Sequence, residues 1–203
     1  MSDTRYSLSF TAAAFRLNDF SKFAEFYVDA PAIIKTVDVD ADKVLGSGMQ
    51  KTNKRIAAEL VKRYNTLTAA QRKLMIDGDF DEKKQICYLA IAKTYRFIRE
   101  FIVEIVREKA LLYDFQLSDA DFSVFINRKT PLHPELEEFT DKTMYKVRQT
   151  LFKILADADI IDSTRTKQVK PQWVSSKVQE VIVDDNPEWL KIFLISDSEI
   201  EQK

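Results

Sequence analysis

Residues 95–109 read YRFIREFIVEIVREK, the centre of a longer apolar stretch from Asp81 to Leu112. At the 100° step of an α-helix, Ala90, Ile91, Tyr95, Phe97, Ile98, Phe101, Ile102, Ile105 and Val106 fall on one continuous arc. The spacing predicts a long central core helix, about 45 Å from end to end at 1.5 Å per residue. Its other face carries Lys93, Arg96, Glu100, Glu104 and Arg107, with Arg96 and Glu100, and Glu104 and Arg107, at helical pair spacing. That face reads either as a solvated, salt-bridged stripe or as a nucleic-acid track.

Outward from this helix the chain keeps the same periodicity. It has 203 residues, 45% of them hydrophobic and 31% charged, but only three glycines and five prolines. Apolar residues recur at three and four rather than at two, so the fold class is mainly α. Apolar runs are broken by charge well short of the roughly 20 residues of a membrane span, and no basic stretch leads into an apolar one at the start. Neither a span nor a signal peptide is expected. The single cysteine, Cys87, rules out an internal disulfide and fits a reducing cytoplasm, where it reads as core packing.

Charge is laid down in blocks on a chain of net charge −1. Residues 43–109 hold 15 Lys and Arg against 8 Asp and Glu, and residues 142–177 hold 8 against 3, while the other segments are acidic. Two basic blocks on a nearly neutral chain point to anionic partners met at two places.

Three units are expected along the chain. In residues 1–66, Phe20, Phe23, Ala24 and Tyr27 mark a first helix, Pro31 can open a short second one to about Val37, and a break covers 38–48. A basic helix then runs from Thr52, a candidate N-cap, to Asn65 with Ile56, Ala57, Leu60, Val61 and Tyr64 inward. This is the order of a helix-turn-helix unit, which would expose Asn53, Lys54, Arg55, Glu59, Lys62 and Arg63 beside Lys51. Duplex contact and a plain solvated face both fit that surface.

Residues 67–132 form the central region, with capping boxes at Thr68–Gln71 and Ser118–Asp121 opening helices on either side of the long one. His133, between Pro131 and Pro134, reads as an exposed turn residue. Within 133–203, a periodic helix from Asp141 to Asp157 turns Lys142, Lys146, Arg148 and Lys153 outward. Beyond it the stretch Lys167–Val169 is expected to pair with Lys191–Ile195 as the small β ribbon of a winged-helix-like unit, its wing carrying Arg165, Lys167 and Lys170. An ordinary exposed loop fits the same residues, and Ser196 to Lys203 reads as a frayed acidic tail.

Enzyme chemistry finds little support. One His with one Cys does not make a zinc site. Asp38, Asp40 and Asp42 alternate as in a calcium loop, but Lys43 stands where that loop needs glycine and Met49 where it needs glutamate. Gly46-Ser47-Gly48 before Lys51-Thr52 fails as a phosphate loop, because Gln50 precedes the lysine. No catalytic residue, cofactor or metal ligand is therefore expected.

The stretches YSLSFTA, RYNTLTAAQRKLMIDG, KTYRFIREFIVEIVREK and RQTLFKILADADII, in that order, make the chain resemble the BrxA family of bacteriophage exclusion (BREX) systems. The resemblance spans nearly the whole length and includes no catalytic signature. It implies a small helical protein, likened to the NusB type of RNA-binding antitermination protein, that works beside a DNA methyltransferase, an ATPase and a phosphatase-like protein. Some relatives carry an inner-membrane label, against which this composition argues. The expected function is duplex DNA binding by a non-enzymatic accessory protein, with other BREX proteins as partners and neither membrane nor small-molecule substrate. RNA binding of the NusB type and a pure assembly role are the alternatives.

Overall fold

A computed structural model describes residues 5–29, 33–46 and 49–202. The described residues are mainly helical: α1 Leu17–Phe26, α2 Ala41–Leu45, α3 Gln50–Thr66, α4 Ala69–Asp77, α5 Phe80–Thr94, α6 Arg96–Phe101, α7 Glu108–Leu111, α8 Asp119–Lys129, α9 Asp141–Asp157, α10 Ser176–Val183 and α11 Asp197–Ile200. The 3-10 turns Ser9–Ala12, Thr36–Asp38, Pro134–Leu136 and Pro187–Phe193 complete the helical elements. The expected start of a helix at Pro31 lies outside the described residues. The next helical element along the chain is the turn Thr36–Asp38, and α2 occupies part of the expected break.

The local signals account for several starts. Thr68 with Gln71 and Ser118 with Asp121 form complete capping boxes ahead of α4 and α8, and Asp79 with Glu82 forms a third ahead of α5. Thr52 is not a cap: α3 begins at Gln50, leaving Thr52 inside its first turn and exposed.

The central helix is segmented rather than continuous. At Tyr95 the backbone turns extended, with φ −116° and ψ 96°, between α5 and α6, and Ile102–Arg107 is a π-helical stretch before α7. The Tyr95 hydroxyl donates to Glu59 of α3, and the Arg63 guanidinium lies 5.5 Å from its ring centroid, so contacts from α3 fix the residue at the break. The seven consecutive residues Ile86–Ala92 are all buried, because α5 is wrapped on every side. The stripe expected to face solvent is mostly tied to distant segments, although Arg96 stays exposed. Lys93 pairs with Asp185 at 2.7 Å, Arg107 with Asp197 at 3.0 Å, and Glu100 and Glu104 with Lys129 at 2.6 and 2.5 Å. Only the Arg96–Glu100 pair stands as expected. One contiguous core joins these helices from Tyr6 to Ile200.

Three further expectations are corrected. His133 is buried at 3% exposure, stacked on Tyr6 with centroids 3.8 Å apart and hydrogen-bonded through Nδ1 to Glu135 at 3.1 Å. The strap Arg5–Tyr6 covers it, with the Tyr6 amide donating to Glu135 at 2.7 Å. The ribbon between Lys167–Val169 and Lys191–Ile195 does not form. Gln168 bridges Gln116, and Val169 bridges Ile161. Lys191 to Phe193 belong to a 3-10 helix that Asn186 caps and Pro187 opens, as proline favours a first turn. Lys167 itself sits at φ 55°, which a regular strand does not admit. The end of the chain is not frayed through Ile200, since a capping box at Ser196–Glu199 opens α11 and Ile200 is buried.

Candidate nucleic-acid interface

The two basic blocks meet across one short element. The turn Ser9–Ala12 packs against both α3 and α9, meeting α3 at Glu59 and Lys62 through Ser9. On α3, Lys51, Lys54 and Arg55 are exposed and have no ion-pair partner among the described residues. They cluster in the first two turns. Lys62, about 16 Å further along at 1.5 Å per residue, is also exposed, but its ammonium contacts Glu59 at 2.7 Å and Ser9 at 3.2 Å. Glu59 is itself buried. Burial alone would raise its carboxyl, and the hydrogen bonds from Lys62, Tyr95 and Ser9 outweigh that and hold it below the usual range.

Asn53 and Arg63, expected on the exposed surface of this helix, face inward. Asn53 donates to Asp42 at 2.8 Å and to the Gly46 carbonyl at 3.0 Å, tying α2 to α3. Arg63 is fully buried and donates to the carbonyls of Ala13, Ala14 and Phe15 at 3.3, 2.6 and 3.0 Å. Neither reaches a phosphate in this fold. Both position the surface: Arg63 anchors the segment just after the Ser9–Ala12 turn.

On α9, Lys142 and Lys146 are exposed without ion-pair partners among the described residues. Between α9, the N-terminal segment and the loop after Ile161 runs a groove of about 550 Å³, lined among others by Thr11, Tyr145, Lys146, Lys153, Thr164 and Lys167. It continues past Tyr145 and Arg148 into a hollow of about 460 Å³ between α8 and α9. The loop holds its shape through Asp162, which accepts from Thr166 Oγ1 at 2.6 Å and from the amides of Ser163 and Gln168 at 2.6 and 2.8 Å. These bonds keep its carboxyl below the usual range.

The three cations expected on a wing divide. Arg165 is exposed and unpaired among the described residues. Lys167 is tied to Asp119 at 3.2 Å with its ammonium 5.3 Å from the Phe152 ring centroid, and Lys170 to Asp159 at 3.0 Å. Tyr145, 53% exposed in the middle of the groove, is a surface residue that charge counting along the chain passes over. Its signal is nonetheless present. Lys142, Tyr145, Lys146, Gln149 and Lys153 recur at three and four, placing the ring on the basic face.

Lys51, Lys54 and Arg55 thus gather at the start of α3, and Lys142, Lys146 and Arg165 on the outer side of α9 and the loop beyond it. Among the described residues no group of three or more His, Cys, Asp or Glu could hold a metal ion. No helix among them is long and apolar enough to cross a membrane.

The helical fold and the sequence both have known relatives. The fold resembles that of an uncharacterized protein from Magnetospirillum magneticum, with TM-score 0.80 at 16% identity over 94% of this chain and 98% of the other. The "BREX protein BrxA" of Escherichia coli O9:H4 (strain HS) is 26% identical over 139 residues, which span 68% of this chain and 65% of that protein. Its namesake in Bacillus cereus (strain H3081.97) is 27% identical over 143 residues, 70% of this chain and 68% of the other. The sequence model of the BrxA family matches residues 4–186, a span running from the Arg5–Tyr6 strap through α10, and on that match the chain belongs to the BrxA family.

Proposed function

We propose that this chain is a non-enzymatic component of a BREX phage-defence system that works in the cytoplasm and binds duplex DNA, with other BREX proteins as its protein partners. The observation that carries the reading is that six of the exposed cations without ion-pair partners among the described residues form two clusters, Lys51, Lys54 and Arg55 at the start of α3 and Lys142, Lys146 and Arg165 on α9 and the loop beyond it. Both α3 and α9 pack against the turn Ser9–Ala12. Neutralising phosphates with such groups releases condensed counterions and makes affinity fall with salt. A groove of this charge with one exposed tyrosine favours backbone contact over stacking of successive bases.

The test is a competition gel shift with duplex DNA, single-stranded DNA and RNA over a salt series, using two triple-alanine variants, one for each cluster. Duplex is expected to compete best. Each variant is expected to flatten the log–log salt slope by about 2.7, three contacts at about 0.9 each. Unchanged affinity and slope in both folded variants contradicts the proposal, and preference for RNA transfers the surface to the NusB-like reading.

A further inference from the structure

A second pocket, of about 310 Å³, lies on the surface formed by α6, the π-helical stretch and the turn Pro187–Phe193. Arg99, Val103, Asn186, Trp189 and Ile192 are among its lining residues. Its cation is the unusual feature. Arg99 is half-buried, and its guanidinium carbon lies 5.3 Å from the Trp189 ring centroid, yet no carboxylate or carbonyl accepts from it among the described residues. The neighbouring carboxylate, Glu100, is taken by Lys129, Tyr6 and Arg96. Lys93, 5.7 Å from the same Trp189 ring, is neutralised by Asp185. Burial lowers the Arg99 pKa, so the cation is held partly out of water without a counter-charge of its own.

The rest of the lining sets what such a counter-charge must look like. Glu188 is paired with Lys191 at 2.7 Å, and Asp197 with both Lys191 at 2.9 Å and Arg107 at 3.0 Å, so two cations balance two carboxylates here. Asn186 Oδ1 is used in accepting from the Glu188 amide at 3.0 Å, leaving its NH₂ as the free end. The uncommitted donors in the lining are therefore the cationic, forked Arg99 guanidinium and the Asn186 NH₂. Val103, Ile192 and the Trp189 ring supply apolar walls.

We infer that this pocket binds a carboxylate monoanion carried on an apolar or aromatic body, the carboxylate taken by the Arg99 fork and the body by Trp189, Val103 and Ile192. A guanidinium fork matches the two oxygens of a carboxylate. One unneutralised positive charge matches a monoanion and leaves a phosphate dianion undercompensated beside Glu188. The pocket is separate from the cationic surfaces of α3 and α9, and its occupancy does not depend on DNA binding.

The chain has two tryptophans, Trp173 and Trp189, so the Trp173→Phe variant makes emission report Trp189 alone. Phenylacetate, its neutral counterpart phenylacetamide, and adenosine monophosphate are titrated into this protein at constant ionic strength. Saturable binding of phenylacetate is expected, at least about tenfold tighter than the amide, since a hydrogen bond to a charged group contributes that much or more. Arg99→Gln should weaken it by about the same factor. Val103→Phe, which keeps the cation and narrows the cavity where the apolar body would sit, should also weaken it, and decides the matter should Arg99→Gln fail to fold. An equal response to acid and amide, undiminished binding in either folded variant, or no saturable response overturns the inference. Tighter binding of the nucleotide overturns the assignment to a monocarboxylate.

Discussion

Replacing Arg63 by methionine removes the anchor of the N-terminal segment while keeping an apolar stem of similar length. Three carbonyls lose the guanidinium: Ala13 in the interior is left without a donor, Phe15 keeps only the weak thiol of Cys87 at 3.3 Å, and Ala14 is near enough to solvent to recruit water. Leaving a buried acceptor unsatisfied costs about 1–3 kcal/mol, so Ala13 together with the weakened bond at Phe15 costs up to about 4 kcal/mol. Part is regained because a fully buried guanidinium, whose Nε has no acceptor, no longer has to be desolvated. A net loss of about 3 kcal/mol is a large share of the roughly 5–15 kcal/mol of a native domain, and at about 2–4 °C per kcal/mol lowers the melting temperature by roughly 6–12 °C. Lysine at the same position keeps the charge but has no planar fork to span three carbonyls, and should recover less than half of the loss. Urea unfolding and thermal melts measure both variants, and gel shifts below the transition measure their DNA affinity. Destabilisation below about 1 kcal/mol, together with a salt slope lowered by about 0.9, would put Arg63 on a phosphate and refute the anchoring role.

Glu100 gives a pH-dependent prediction: burial disfavours its charge, but hydrogen bonds from Lys129, Tyr6 and Arg96 prevail and hold its carboxyl at about 2, against 4.5 for an ordinary glutamate. Its folded pKa is depressed, so the stabilisation, on the order of 3 kcal/mol, is complete above the unfolded value and lost as pH falls from about 4.5 to about 2. Glu100→Gln should therefore be clearly less stable than the parent at pH 7 and close to it at pH 2, and an equal gap at both, read by urea unfolding, would contradict the assignment. Cys87, buried and donating to the Phe15 carbonyl at 3.3 Å, has its thiol pushed up to about 12 by burial, so a disulfide reagent at pH 8 should label it only at the rate of unfolding, and fast labelling of the native protein would show that the core opens there.

Where local chemistry decides structure, the sequence is readable. The capping boxes ahead of α4 and α8 and the strict period of α9 need no tertiary information. The errors lie where distant segments meet. Tyr95 satisfies the apolar arc of a continuous helix, and nothing local announces that Glu59 and Arg63, more than thirty residues away, hold it at a break. His133 is buried because Tyr6 stacks on it across 127 residues of chain. Asn53 and Arg63 are different, because their burial is legible in the spacing. Asn53, Ile56, Leu60 and Arg63 succeed one another by three, four and three, within about 80° of one helical face. Polar character alone assigns them outward, although a buried amide or guanidinium is acceptable wherever carbonyls or a carboxylate receive its protons. For Lys191–Ile195, β propensity suggests a strand, whereas Asn186-Pro187 just before it is a helix start.

The same distant pairing governs how the basic blocks function. Within residues 43–109, Lys84 is neutralised by Asp159, Lys93 by Asp185, Arg107 by Asp197 and Lys109 by Asp114. Two of these carboxylates, Asp185 and Asp197, come from the acidic C-terminal segment, so the excess counted along the chain is not the excess on the surface. A cation already held by a carboxylate must give up that partner to meet a phosphate, which offsets what the released counterion contributes. Lys62, Lys167 and Lys170 are in that position. Lys51, Lys54, Arg55, Lys142, Lys146 and Arg165 are not, so the salt dependence of DNA binding should fall more on these six clustered cations than on the three paired lysines.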